Sequence, residues 1–322
     1  MKTRKLINII LIVVAVAIAV IIGRDFISNR AGKSVKNPYE LDLSQFAKVD
    51  SSEILYKEVK AIQLNAKEVD AISIFNDTIY VAADSTILLL NTDGLILKKI
   101  AIPTKATALA VDDAVLVALK NRIIKLTKTG DVLADWPDMG PRSVITSLAV
   151  DSDHLYVADA GNRVVLDYTK SGALSQMLGE RNEEKGLEGF TVPSPYFDVA
   201  ISEEGYLWAV DPGRHSLINF NVDGSLRTSW QHSSANTEGF SGCCNPAHMC
   251  LMEGDRFVTS EKGIVRVKIY DQHGKYLGVV AAPNQFDEYS EAPDICVDSE
   301  GRVLLLDFSR KQIRFFQLKK EE

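Results

Sequence analysis

Short runs rich in Val, Ile, Leu and Tyr alternate along this chain with breaks made of Asp, Gly, Asn and Ser. That is the pattern of strands and tight turns rather than of helices. One block states it most plainly. It runs Ser147-Leu148-Ala149-Val150-Asp151, then His154-Leu155-Tyr156-Val157-Ala158-Asp159, then Asn162-Arg163-Val164-Val165, with a turn at Ser171-Gly172 and a last strand. Earlier copies begin at Ala71-Ile72-Ser73-Ile74 and Ala108-Leu109-Ala110-Val111; later ones begin at Val199-Ala200-Ile201, Met249-Cys250-Leu251 and Ile295-Cys296-Val297. Turn glycines fall at Gly94, Gly130, Gly172, Gly224 and Gly274, between 36 and 52 residues apart. Four strands per unit at that spacing predict the blades of a propeller. The sixth copy stops after three strands, and a strand-like run, Ile54 to Ile62, precedes the first. Pairing that run with Ile313 to Leu318 closes a six-bladed ring and removes an unpaired sheet edge.

The stretch Leu155 to Val164, with Val157-Ala158-Asp159-Ala160-Gly161-Asn162-Arg163-Val164 at its heart, resembles an NHL repeat. Asp211 with Arg214, and Asp307 with Arg310, are looser echoes, whereas Ala118-Leu119-Lys120-Asn121-Arg122 in the second copy lacks the Asp. The resemblance extends over about residues 54 to 318. It implies an all-β, six-bladed, NHL-like β-propeller. It also implies a family whose members dock proteins or RNA, sense ligands, or in a few branches carry out lyase or hydrolase chemistry. A fold with so many uses does not name an activity.

The N-terminus adds a second prediction. Leu6 to Gly23 is 18 residues with one polar member, Asn8, which is long enough to cross a bilayer as a helix. A secretory signal core is usually shorter, and no small-residue cleavage site follows this one. The expectation is a single-pass membrane protein with residues 6–23 as an uncleaved signal anchor; a cleaved signal peptide is the alternative. Lys2, Arg4 and Lys5 make residues 1–5 a basic stub that the positive-inside rule keeps in the cytoplasm. Residues 24–50 read as a polar tether and residues 51–320 as the propeller, periplasmic or extracellular. The chain carries −7 overall, yet its first 33 residues hold six basic side chains and one acidic, leaving −12 on the rest. An acidic exported domain lacks the Lys and Arg clusters that phosphates require, so no nucleic-acid partner is expected. The expected partners are the membrane, through residues 6–23, and a protein or small-molecule ligand.

The connections entering blades 4, 5 and 6 are long: about Gly179 to Ser194, His232 to Asn245 and Pro283 to Ala292. In a propeller these emerge on one face, either as binding loops on a rigid scaffold or as tolerated insertions. They share a register. Glu188-Gly189-Phe190 recurs as Glu238-Gly239-Phe240, and the third loop offers Phe286. Eight residues after each Phe stand Asp198, His248 and Asp294, where blades 1 to 3 carry Ala71, Ala108 and Ser147. A His between two carboxylates suits a divalent metal, the one cofactor this trio suggests. It also suits an acid–base set. The plainest alternative is that each polar group satisfies backbone amides where the inner strand begins.

Three of the four cysteines lie within Gly242-Cys243-Cys244-Asn245-Pro246-Ala247-His248-Met249-Cys250; the fourth is Cys296. Cys250 and Cys296 fall at matching strand positions where the other blades have Ser73, Ala110, Ala149 and Ala200, so packing as small hydrophobes explains them. Cys243 and Cys244 sit in a loop. They suit a disulfide with each other, or with Cys250 or Cys296, in an oxidising compartment. Soft-metal or redox chemistry with His248 is the alternative. A bond between adjacent cysteines is strained and readily reduced. No phosphate-binding glycine loop, GxSxG elbow or HExxH is present in the sequence, which removes those enzyme classes.

Overall fold

Six four-stranded antiparallel sheets make up the described strands, five of them running in sequence order from the axis outward, in a computed structural model describing residues 12–20 and 46–320. The chain divides into two compact units, Met1–Asp42 and Leu43–Glu322. Blades 1 to 5 begin with inner strands Val69–Phe75, Ala108–Val111, Ile145–Val150, Val199–Ile201 and His248–Met252. Blade 6 has Asp294–Val297, Val303–Asp307 and Gln312–Leu318, and takes its outer strand, Tyr56–Gln63, from the other end of the chain. The closing register pairs Tyr56 with Leu318 and Ile62 with Ile313, interrupted by a bulge between Glu58 and Lys60. The closing strand begins two residues later than Ile54, whose bridge goes instead to Val279 in blade 5.

Strand position explains strand composition. The second strands Leu207–Asp211 and Val303–Asp307 are buried at every residue, which is why they read as continuous apolar runs. The outer strand Leu226–Gln231 has only Trp230 partly buried and reads as polar. The turn glycines take φ between 76° and 99°, where an L side chain is strained. Each also receives the outer edge of the preceding blade. A Cβ on Gly94, Gly130, Gly172, Gly224 or Gly274 would meet Ile62, Ile100, Trp136, Leu178 or Trp230 respectively. Turn and neighbouring blade thus interlock around the ring.

The Asp of the repeat motif has a local purpose. Asp159 Oδ1 accepts from the amides of Val144, Gly161 and Asn162 at 3.0 to 3.1 Å. It ties the connection entering blade 3 to the turn between that blade's second and third strands. Asp211 accepts from Thr191 N, and Asp307 from Arg310 N, both at 2.9 Å. In blade 5 the position is Glu261, fully buried with Arg266 and Lys268 at 2.8 and 2.6 Å. Those two cations hold the long loop above them. Lys268 Nζ donates to Gly239 O, and Arg266 Nη2 donates to Asn236 O and Gly239 O.

In the N-terminal unit the described helix covers 12–20, with Ile12, Val13, Val16 and Val20 exposed. Nine residues of helix span about 14 Å, roughly half a bilayer's hydrocarbon core. Among the described residues no helix is long and apolar enough to cross a membrane. The expected anchor at 6–23 is therefore not shown, and the rest of it lies outside the described residues, as do residues 1–5 and most of the tether.

Candidate functional site

The inner strands surround a channel of about 280 Å³, and Asp198, His248 and Asp294 all line it. Asp198 immediately precedes its strand, and its carbonyl still accepts from Val210 N at 3.0 Å. His248 and Asp294 are the first residues of theirs. The gapless register after Phe190 and Phe240 has a packing cause. Phe190 packs on Phe197 and Phe220, and Phe240 packs on Trp230 and Tyr270, fixing the base of each loop. Phe286 lies 5.2 Å from the Arg314 guanidinium.

The carboxylates carry two roles at once. Asp198 Oδ1 accepts from its own strand's Val199 N at 2.8 Å, and Oδ2 accepts from Met249 N of the next blade at 2.7 Å. Asp294 repeats this with Ile295 N at 2.9 Å and Ile72 N of blade 1 at 2.8 Å. Ser147 Oγ accepts from Val199 N at 3.3 Å, a weaker version one blade earlier. Amide satisfaction is therefore real at Asp198 and Asp294. It leaves each carboxylate facing the channel with His248 Nδ1 3.7 Å from Asp198 and 3.8 Å from Asp294. Those are ion-pair distances too long for hydrogen bonds.

Burial dominates their protonation. It pushes Asp198 up to about 6, helped by Asp294 and opposed by His248, Ser147 and the Met249 amide. It pushes Asp294 up to about 6 against the Ile72 and Ile295 amides. His248 moves down from its usual value through burial, against the pull of Asp198 and Glu291. Among the described residues no Lys or Arg lines the channel. No three His, Cys, Asp or Glu side chains among them are arranged to hold a metal ion.

Above the channel lies a wider mouth of about 570 Å³. Asp70, Thr107, Thr146 and His248 border both spaces and form the collar between them. Tyr196 stands edge-on to His248 with ring centroids 5.9 Å apart, and Glu291 also lines the mouth. Asp70 is paired with Lys105 at 2.7 Å, while its buried Oδ2 has no partner. Burial raises the Asp70 carboxyl against the pull of Lys105. Column matching in the sequence misses Asp70 and Thr146 because each lies at a bulge, between Val69 and Ala71 and between Ile145 and Ser147. A bulge re-aims one side chain.

All four cysteines are free. Cys250 and Cys296 line the channel wall, and burial pushes both thiols well above the ordinary range, as packing cysteines should be. Cys243 and Cys244 sit in the loop before His248 with sulfurs 3.1 Å apart. His215 braces that loop, with Nε2 2.6 Å from Gly242 O.

No protein-family model matches this chain, and no curated protein matches it. Solved structures do. The streptogramin B lyase structure has a TM-score of 0.59 at 14% identity, covering 82% of this chain and 98% of that one. A catalytically inactive histidine-to-alanine variant of virginiamycin B lyase from Staphylococcus aureus, solved with quinupristin, has 0.56 at 16% identity, covering 80% and 83%. The Pan2 WD40 domain of Neurospora crassa has 0.54 at 9%, covering 83% and 96%. The shared property is the propeller fold; an NHL assignment does not follow from these matches. At these identities they carry no activity across.

Proposed function

We propose that this chain is a membrane-tethered, NHL-type propeller that binds a ligand on the face formed by the loops of blades 4 to 6. Its channel receives the ligand's ammonium or other donor-rich group. The observation that carries this reading is the acidic, cation-free lining of the channel, with Asp198 and Asp294 fixed by amides on either side of His248. Preorganised acceptors in a water-poor cavity favour a positively charged group. The test is calorimetric titration of the full-length chain in detergent with 1,4-diaminobutane, succinate and 1,4-butanediol. Heat from the diamine alone, weakened at least about tenfold in Asp70→Asn, is the expected result. Equal response to the diamine and succinate overturns it.

Residues 6–23 serve in this proposal as a signal anchor that places the propeller outside the cytoplasm. Protease added to intact cells, with the outer layer permeabilised where there is one, should digest the propeller. Full protection alongside a surviving cytoplasmic control contradicts this placement.

A second reading rests on the protonation of the trio. Two carboxyls near 6 beside a histidine with a lowered pKa suit general acid–base chemistry at neutral pH. The lyase-like neighbours, one inactivated by loss of a histidine, support testing it. Cleavage of quinupristin by the full-length chain, abolished in His248→Ala, is what this reading expects. Intact quinupristin after prolonged incubation removes that substrate class.

A further inference from the structure

The loop of Cys243 and Cys244 is built differently from the other long loops. Asn245 Nδ2 donates to Ser241 O at 2.6 Å and to Lys262 O at 3.1 Å, while its Oδ1 accepts from Lys262 N at 2.9 Å. Asn245 N donates to Pro212 O, and His215 reaches Gly242 O from the other side. The two cysteines are therefore presented by a segment pinned before and after them, with their sulfurs 3.1 Å apart. Their surroundings are unequal. Cys243 is exposed, whereas Cys244 is 1% exposed. Lys262 Nζ donates to Ser194 Oγ at 3.2 Å and stands 4.8 Å from the Tyr196 ring centroid. Ser194, Lys262 and Tyr196 thus gather around the buried sulfur at the edge of the channel mouth.

We infer that Cys243 and Cys244 form a two-electron redox site that oxidises a dithiol, with attack at Cys243 and Cys244 departing as the thiolate. This goes beyond ligand binding in the channel and does not depend on it. A small-molecule disulfide is the two-electron oxidant that first bonds the two sulfurs, leaving as two thiols; the step itself then balances. In the oxidised site the two sulfurs are bonded. One thiolate of the dithiol attacks exposed Cys243 Sγ; that bond forms, the Cys243–Cys244 bond breaks, and its electron pair leaves on Cys244 Sγ. The dithiol's second thiolate then attacks its own sulfur in the mixed disulfide and expels Cys243, and Cys243 and Cys244 each take up one of the two protons the dithiol has released. The dithiol ends as a disulfide and the site as two thiols, the state described here.

The asymmetry of the pair gives the step its direction. Burial raises the Cys244 thiol, but hydrogen bonds from Ser194 and Cys243 and the charge of Lys262 bring it below its ordinary value. Cys243 moves up, chiefly through its hydrogen bond to Cys244 and the charge there. A thiol of lower pKa leaves faster from a disulfide, and only Cys243 is open to an incoming molecule. Lys262 is a positioning residue for that leaving thiolate. A soft cation is the poorer occupant, because the Lys262 ammonium repels it and no third His, Cys, Asp or Glu among the described residues converges there.

The experiment uses the full-length chain in detergent, oxidised with diamide, then alkylated under denaturing conditions and mapped by peptide mass. Two alkylated cysteines, Cys250 and Cys296, and a peptide containing bonded Cys243 and Cys244 are expected. Dithiothreitol should restore four. Brief treatment of the oxidised chain with glutathione should place the adduct on Cys243. In Cys244→Ser an adduct on Cys243 should persist, since no second sulfur can displace it. Lys262→Met should slow dithiothreitol reduction by about threefold for each unit the Cys244 pKa rises, and Lys262→Arg should restore the rate. Four free thiols after diamide, adducts shared equally between Cys243 and Cys244, or an unchanged rate in Lys262→Met overturns the assignment.

Discussion

Asp198 and Asp294 join neighbouring blades that share no backbone ladder at the axis: each carboxylate takes one amide from its own strand and one from the next blade. The cost of this arrangement is protonation-dependent. Both folded-state values, about 6, lie above the ordinary aspartate value of 3.8, so the folded chain holds these protons after the unfolded chain has lost them. Their contribution to stability is complete below the unfolded value and is lost as pH rises through about 6. A shift of this size corresponds to at most about 3 kcal/mol per group. His248, shifted down, works the opposite way: its contribution is lost as pH falls below its unfolded value. Carboxyl-carbon NMR titration of the full-length chain should show two Asp resonances with midpoints near 6, and two midpoints near 4 would refute it. The trio was legible in the sequence because Phe190 and Phe240 set a gapless count to Asp198 and His248. Lys262, Glu291 and Tyr196 were not, since no strand period fixes the residues of irregular loops.

At the level of the element, the recurrent contact is a turn glycine against the outer edge of the preceding blade. Gly274 is the tightest aromatic case, with a Cβ position 2.4 Å from the Trp230 ring and φ of 80°. Gly274→Ala should cost about 1–3 kcal/mol in urea unfolding, and an unchanged midpoint would show that the interlock is loose. Under the loop from His232 to Asn245, Glu261→Gln leaves Arg266 and Lys268 buried with no counter-charge. A loss of about 3–5 kcal/mol is expected, with faster amide exchange over residues 236–240 and little change in the loop of blade 4. Blade number, strand order and closing strand could all be read from alternation and glycine spacing, because every copy buries its second strand. The buried Glu261 cluster was hidden. Its residues resemble an exposed turn and a polar strand until a neighbouring loop covers them.

For the whole molecule, the decisive contact joins the two ends of the propeller. Tyr56–Gln63 completes blade 6 along Gln312–Leu318, and Arg314 reaches across the joint to Glu58 at 2.6 Å. Deleting residues 34 to 63 should expose the edge of Gln312–Leu318 and drive aggregation; a monomeric deletion product of wild-type stability would show that closure contributes nothing. Closure also orders events in time. The strand that starts the ring is synthesised about 250 residues before the one that receives it, and ribosomes add roughly 5 to 20 residues per second. For some ten to fifty seconds every nascent chain carries Tyr56–Gln63 as an orphan beside an unfinished sheet. Completion waits for Gln312–Leu318 to emerge, which makes translation products truncated before it natural clients for chaperones and proteases.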